Sequence, residues 1–123
     1  MNRNPQLRFV FFRTDSGKEP VRDWLATLAI KDKILIEAVI RKVVKNWPSI
    51  LGTSLIKKLR PEKDLWEIRC RISDGKRIVR ILCAITDNRL ILLHIFIKKS
   101  QKTPRQGLRL ARKRYELWKR RTR

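Results

Sequence analysis

Arginine and lysine are the side chains of this chain whose spacing could do chemistry. Glu67, Arg69 and Arg71 alternate with Trp66, Ile68, Cys70 and Ile72, and Arg80 follows an Asp74-Gly75 turn signal. A two-residue loop there places Trp66 opposite Cys83, Ile68 opposite Ile81 and Cys70 opposite Val79, a coherent apolar face. The other face then pairs Arg69 with Arg80 and sets Arg71 opposite Ile78. Two like charges directly opposed on a sheet repel. Glu67, one same-face step from Arg69, offsets part of that repulsion, and an anion between the arginines would offset more. Arginine suits a phosphate because it is permanently charged and grips bidentately. The plain alternative is a solvated face of splayed arginines.

A second basic cluster, Lys98-Lys99-Ser100-Gln101-Lys102-Thr103-Pro104, leaves the end of the last strand. If that strand runs antiparallel to the Arg80 strand, Lys98 and Lys99 emerge near Arg77–Arg80. The helix that follows points its N-terminal N–H groups, which favour anions, into the same region. Paired arginines, a lysine run and a helix N-terminus converge on an RNA or DNA phosphate site.

Other chemistry is thin. Cys70 and Cys83 match no CxxC spacing, and one histidine completes no zinc site, so no metal or cofactor is expected. The register separates the cysteines by two rungs, so a disulfide between them is not expected. His94 lies on a largely apolar strand. With a two-residue turn at Asp87-Asn88 it faces the core beside Ile81, and a one-residue change in register would flip it.

The elements that position these residues follow from periodicity. Leu7 to Phe12 reads as a strand and Thr14–Gly17 as a turn. Pro20, a good first helical residue, opens a short helix carrying Val21, Trp24, Leu25 and Leu28. A second helix runs from about Asp32 to Trp47, ended by Pro48. From Ile56 the period becomes two: a short strand near Ile56–Leu59, then a three-stranded antiparallel meander ending in the central strand Leu90–Ile97. A last helix begins at Thr103-Pro104 with Thr103 as N-cap, and puts Leu108, Ala111, Tyr115 and Trp118 on one face. Trp24, Trp47 and Trp66 belong to the core. The expected class is α+β: a small antiparallel sheet of about four strands against an N-terminal helical hairpin, with a basic C-terminal helix.

With 123 residues, the chain fits one domain, residues 1–123, with a frayed basic tail from about 119. An apolar fraction of 42% is enough to fill a core. The formal net charge is +21, far beyond the roughly 2–8 that solubility requires of a small domain. Such an excess points to polyanionic partners, with nucleic acid ahead of membrane. Residues 98–123 alone hold 12 basic and one acidic residue. The longest apolar run, Leu90 to Ile97, is too short for a membrane span, and the N-terminus lacks the apolar stretch of a signal peptide. The expected location is the cytoplasm.

The segments Leu65-Trp66-Glu67-Ile68-Arg69, Arg80-Ile81-Leu82 and His94 to Pro104 resemble the RelE/ParE toxin superfamily, most closely its phage-derived, HigB-like branch. The order of elements matches over about residues 7–118. The resemblance implies a toxin of a type II toxin–antitoxin pair that enters the ribosomal A site and cleaves mRNA without metal, the ribose 2′-hydroxyl attacking the adjacent phosphate. It implies a catalytic set of Arg69 near the hydroxyl, as a base or as its positioning partner, Arg80 on the phosphate charge, and Lys98 or Lys99 at the phosphate or leaving oxygen. Arg71, Arg77, Lys57, Lys58, Lys102 and Arg105 would contact RNA around them. Arginine is a poor base, whereas a crowded cationic cluster lowers a lysine pKa readily, so Lys98 or Lys99 is the better proton acceptor. The superfamily tyrosine on the strand after the matching arginine is replaced by Cys83, and Tyr115 is the only tyrosine. The implied partners are mRNA, the ribosome and a small antitoxin, often of helix-turn-helix type, with an acidic contact segment. A ParE-like, non-catalytic gyrase poison and a plain basic RNA- or DNA-binding module are the alternatives.

Overall fold

The alternation from Leu65 and the Asp74-Gly75 signal build the centre of the sheet. In the computed structural model, which describes residues 7–60, 62–99 and 104–122, strand β3 (Leu65–Ile72) pairs antiparallel with β4 (Arg77–Thr86). Trp66 lies opposite Cys83, Ile68 opposite Ile81, Arg69 opposite Arg80 and Arg71 opposite Ile78, the register expected from the sequence. The Lys76 N–H donates to the Ser73 carbonyl at 3.1 Å across Asp74 and Gly75. Both of those residues have positive φ, 55° and 84°, as a type I′ turn requires.

Strand β1 (Arg8–Phe11) and β2 (Ile56–Lys58) complete the sheet with β5 (Arg89–Ile97). The order is β1-β5-β4-β3-β2, five strands rather than about four. All neighbours are antiparallel except β1, which runs parallel to β5. β5 sits between two neighbours, and its side chains are covered by helices on both faces, so its apolar run has no polar face.

Helices cover both faces. Helix α1 (Pro20–Ala26) and α2 (Ile30–Lys45) lie on one face, where Val21, Leu25, Ile36, Ile40 and Val43 pack with Ile68, Cys70, Val79, Ile81 and Cys83. Trp24, Trp47 and Trp66 pack against that cluster as expected. Helix α3 (Arg105–Arg121) covers the other face, with Ala111, Tyr115, Leu108 and Trp118 on Leu65, Leu82, Ala84, Ile91 and Leu93. Both cysteines are buried and free. Among the described residues, no helix is long and apolar enough to cross a membrane.

Three features differ from expectation. Helix α2 runs from Ile30 to Lys45, starting two residues before the expected Asp32, which lies in its first turn, and ending two before Trp47. The buried Asp32 carboxylate accepts the Ser73 N–H at 2.8 Å and the Ser73 hydroxyl at 3.1 Å, tying the helix to the β3–β4 turn. The N-cap of α3 is Pro104, without a side-chain cap bond, and Thr103 lies outside the described residues. Third, the β4–β5 ladder is not uniform. The Asp87-Asn88 turn has the expected two residues, with Thr86 opposite Arg89, but β5 carries one extra residue, Leu93, opposite the Leu82/Cys83 step. His94 consequently pairs with Leu82, not Ile81. The bulge turns it away from the α1/α2 core and onto α3. The Leu93 carbonyl accepts from the Arg114 guanidinium at 2.7 Å.

Candidate functional site

The arginine pair is held by a buried carboxylate. Glu67 has no exposed surface, and its Oε1 lies 3.1 Å from Arg69 Nε. Its Oε2 lies 3.5 Å from a terminal nitrogen of Arg80, which is itself 1% exposed. β3 carries Glu67 and Arg69 two residues apart, so both point to the α3 face, and the β4 register brings Arg80 beside them. The repulsion expected between opposed arginines is thus offset from inside the protein. Arg69 keeps 35% of its side chain exposed and presents it at the surface. Arg80 differs from the expectation of a direct phosphate contact. It lies under the surface, and its charge reaches the site through Glu67 and its neighbours.

Lys98 joins this group where β5 ends. Ile97 pairs with Val79, and the Lys98 N–H donates to the Ile78 carbonyl at 2.7 Å. Partial loss of water pushes the Lys98 ammonium below its ordinary pKa. The charges of Arg80, Arg69 and Arg71 push it the same way, and Glu67 opposes them. A single carboxylate among three arginines and a lysine leaves the cluster with excess positive charge, a setting for an anion. A lysine of lowered pKa in that setting is closer to serving as a base than any arginine.

The other basic residues separate into groups. Arg71 is exposed, shares the face of Arg69, and reaches the Gly75 carbonyl at 3.4 Å. Lys57 pairs with Glu67 and so lies on the same face. Lys58 pairs with Trp66 and sets its ammonium 5.5 Å from the indole centroid, on the opposite face of the sheet. The structure therefore does not bring Lys58 to the arginine cluster. Arg77 is spent on the turn: it donates to the Ser73 hydroxyl at 2.9 and 2.7 Å and lies 3.7 Å from Asp32. Lys99 is exposed beside a cleft that also holds His94, Phe96, Pro104 and Gly107. Arg105 opens α3 on its exposed side, with Arg109, Arg112 and Lys113. Lys102 lies outside the described residues.

His94 is half-buried and stacks on Phe96 with centroids 5.5 Å apart. Burial, then the Arg114 charge, holds its pKa below the ordinary histidine value, so it is neutral at pH 7. It lies against Gly107 of α3, where an added Cβ would come within 3.3 Å of the ring. The sequence reading missed this contact because nothing local marks a bulge in an apolar strand. It also missed Arg114, whose only signal was its basic character on a helix already rich in arginine.

A search of curated proteins found no match. Residues 23–116 match the family described as phage-derived protein Gp49-like (DUF891), a span that takes in β3, β4, β5 and the first twelve residues of α3. The chain belongs to this phage-derived, Gp49-like family, which is related to the RelE-like toxins.

Proposed function

We propose that this chain is the toxin of a type II toxin–antitoxin pair, of the HigB-like kind, and that it cleaves mRNA in the ribosomal A site. The observation that carries this reading is the exposed Arg69, anchored by buried Glu67, beside a Lys98 of lowered pKa. Neutral Lys98 takes the proton of a ribose 2′-hydroxyl. The 2′-oxygen then bonds to the adjacent phosphorus, the bond from phosphorus to the 5′-oxygen breaks, and that oxygen takes a proton from solvent, to which Lys98 returns its own, and leaves as a 5′-hydroxyl. A 2′,3′-cyclic phosphate remains. Arg69, with Arg71 beside it, holds the phosphate oxygens and stabilises their added charge in the transition state. Arg80 sustains the field from below. Lys57, Lys99 and Arg105 extend a basic surface along which RNA can lie.

The test is induced expression with mapping of mRNA 5′ ends, comparing wild type with Arg69→Ala/Lys98→Ala. Arg80 is left intact because it is buried against Glu67, and its removal would confuse folding with activity. Growth arrest with codon-phased cuts, both lost in the double variant, supports the reading. Arrest without cuts would replace it with a gyrase poison of the ParE kind. Absence of both from folded protein would leave a basic nucleic-acid-binding module.

A further inference from the structure

Lys98 shares a rung of the sheet with Arg71. Arg71 lies opposite Ile78 on β4, and the Lys98 N–H donates to the Ile78 carbonyl at 2.7 Å, so Ile78 stands between the two cations. Neighbouring strands are about 4.8 Å apart, which sets the two backbones roughly 10 Å from each other, a gap that two long side chains can close around one small anion. The next rung on the same face carries Arg69, Arg80 and Phe96. Its two arginines share the single buried carboxylate of Glu67. Arg71 is exposed, while Ile78 and Lys98 are half-buried, so a small molecule can reach this corner from solvent.

The same corner suits an amine reaction. Partial loss of water and the charges of Arg80, Arg69 and Arg71 hold the Lys98 ammonium below its ordinary pKa, against the opposing charge of Glu67. More of it is therefore the nucleophilic free amine than at an ordinary lysine. An anion held by Arg69 and Arg71 lies beside that amine. A donor whose leaving group is itself the anion uses both properties at once.

We propose that Lys98 is an acylation site, at which an acyl phosphate binds through its phosphate to Arg69 and Arg71 and transfers its acyl group to the Lys98 amine. The nitrogen bonds to the acyl carbon, and the bond from that carbon to the phosphate oxygen breaks. Inorganic phosphate leaves with the electron pair, its charge held by the two arginines. The nitrogen gives up one proton to solvent, and a neutral amide replaces a cation. The amide is not a base, so acylation also silences RNA cleavage. That consequence rests on the function proposed above, whereas the acylation itself does not.

The test incubates the full chain with acetyl phosphate near neutral pH and follows each lysine by peptide mass spectrometry. Lys99, adjacent in the chain and exposed, is the internal standard. The expected result is acetylation of Lys98 about tenfold faster than of Lys99. Added inorganic phosphate slows Lys98 and not Lys99. An acetyl thioester that carries no phosphate shows a much smaller preference for Lys98. Arg71→Gln, at an exposed position, loses most of the preference with acetyl phosphate and less of it with the thioester, the thermal midpoint reporting that the fold is kept. Equal rates at Lys98 and Lys99 overturn the site. A preference that is the same with the thioester and indifferent to phosphate overturns the role of the arginines. RNA cleavage in a ribosome-containing translation mixture, read on the same samples, falls in proportion to Lys98 acetylation. Cleavage undiminished at complete acetylation overturns the inactivation. Selective acetylation in a chain that cleaves no RNA supports the acylation site and overturns the toxin reading.

Discussion

Arg69 and Glu67 are two residues apart on β3, and the Nε of the first lies 3.1 Å from Oε1 of the second. One end of the Arg69 guanidinium is thereby fixed inward while the rest of the side chain meets solvent. The Arg80 contact on the other carboxylate oxygen makes Glu67 the common anchor of both arginines. A phosphate-binding arginine held in this way has lost part of its conformational freedom before any ligand arrives.

Removing the anchor tests its weight in folding. Glu67→Ala leaves the buried Arg80 charge without its compensating carboxylate. The cost expected of a broken buried ion pair is about 3–5 kcal/mol. Arg69→Ala, at a partly exposed partner, should cost much less. Urea unfolding of the two variants gives the comparison, and equal losses would count against the buried pair as the dominant contact.

Lys98 should titrate early. Its pKa is lowered by partial loss of water and then by Arg80, Arg69 and Arg71, with Glu67 opposing. The neutral amine therefore accumulates at a lower pH than for an ordinary lysine. If Lys98 is the base, the cleavage rate rises with pH and levels off correspondingly early. Arg71→Gln removes one of the depressing charges and should move the titration upward, while Lys98→Arg should abolish the rise. Carbon-detected NMR of the lysine side chain follows this titration without needing activity. An unchanged midpoint in Arg71→Gln would remove Arg71 from the cluster.

His94 sets a pH dependence of stability. Its folded pKa is lowered by burial and by Arg114, so the unfolded chain binds the proton more readily. The stability it contributes is complete above the ordinary histidine value of about 6.5 and is lost as pH falls below it. Thermal midpoints at pH 7.5 and pH 5.5 should therefore differ more for wild type than for His94→Gln. Equal differences would mean that the ring is free to charge in the folded state.

Gly107 lets α3 approach the sheet. A Cβ there would stand 3.3 Å from Cδ2 and 3.4 Å from Nε2 of His94. In Gly107→Ala the gain of up to about 1 kcal/mol in helix propensity is opposed by the need for the ring to give way. Gly107→Val adds branches that the contact does not accommodate and should cost about 1–3 kcal/mol. Denaturant midpoints of the two variants decide this, and a neutral valine would mean that α3 moves freely off His94.

Asp32 pins the β3–β4 turn to α2. Its carboxylate accepts from the Ser73 N–H at 2.8 Å and from the Ser73 hydroxyl at 3.1 Å. Asp32→Ala leaves these donors unmet in a part-buried site, with an expected cost of about 1–3 kcal/mol. Faster amide exchange at Ser73 should accompany the loss, and unchanged exchange would show that another group holds the turn.

The alternation of residues 65–72 and the Asp-Gly signal were enough to specify the β3–β4 register, and with it the opposition of Arg69 and Arg80. Both are local properties: a strand has a period of two, and a type I′ turn needs residues that accept positive φ. The apolar stripes of α2 and α3 were legible for the same reason. Burial and the path of β5 were not local. Whether Arg80 reaches solvent depends on what covers its face, and alternation cannot say that Glu67 is enclosed with it. Nothing in the apolar run from Leu90 to Ile97 marks the extra residue at Leu93, yet that residue decides which way His94 faces. Lys57 and Lys58 are adjacent and chemically alike, but only the pairing of β2 with β3 assigns them to opposite faces. Local alternation is enough to assign residues to a strand face and to say which charges must meet. Which of those charges remain at the surface follows only from the folded arrangement, because burial is set by the packing of α3 and the sheet edges, which adjoin the strands in space and not in the chain.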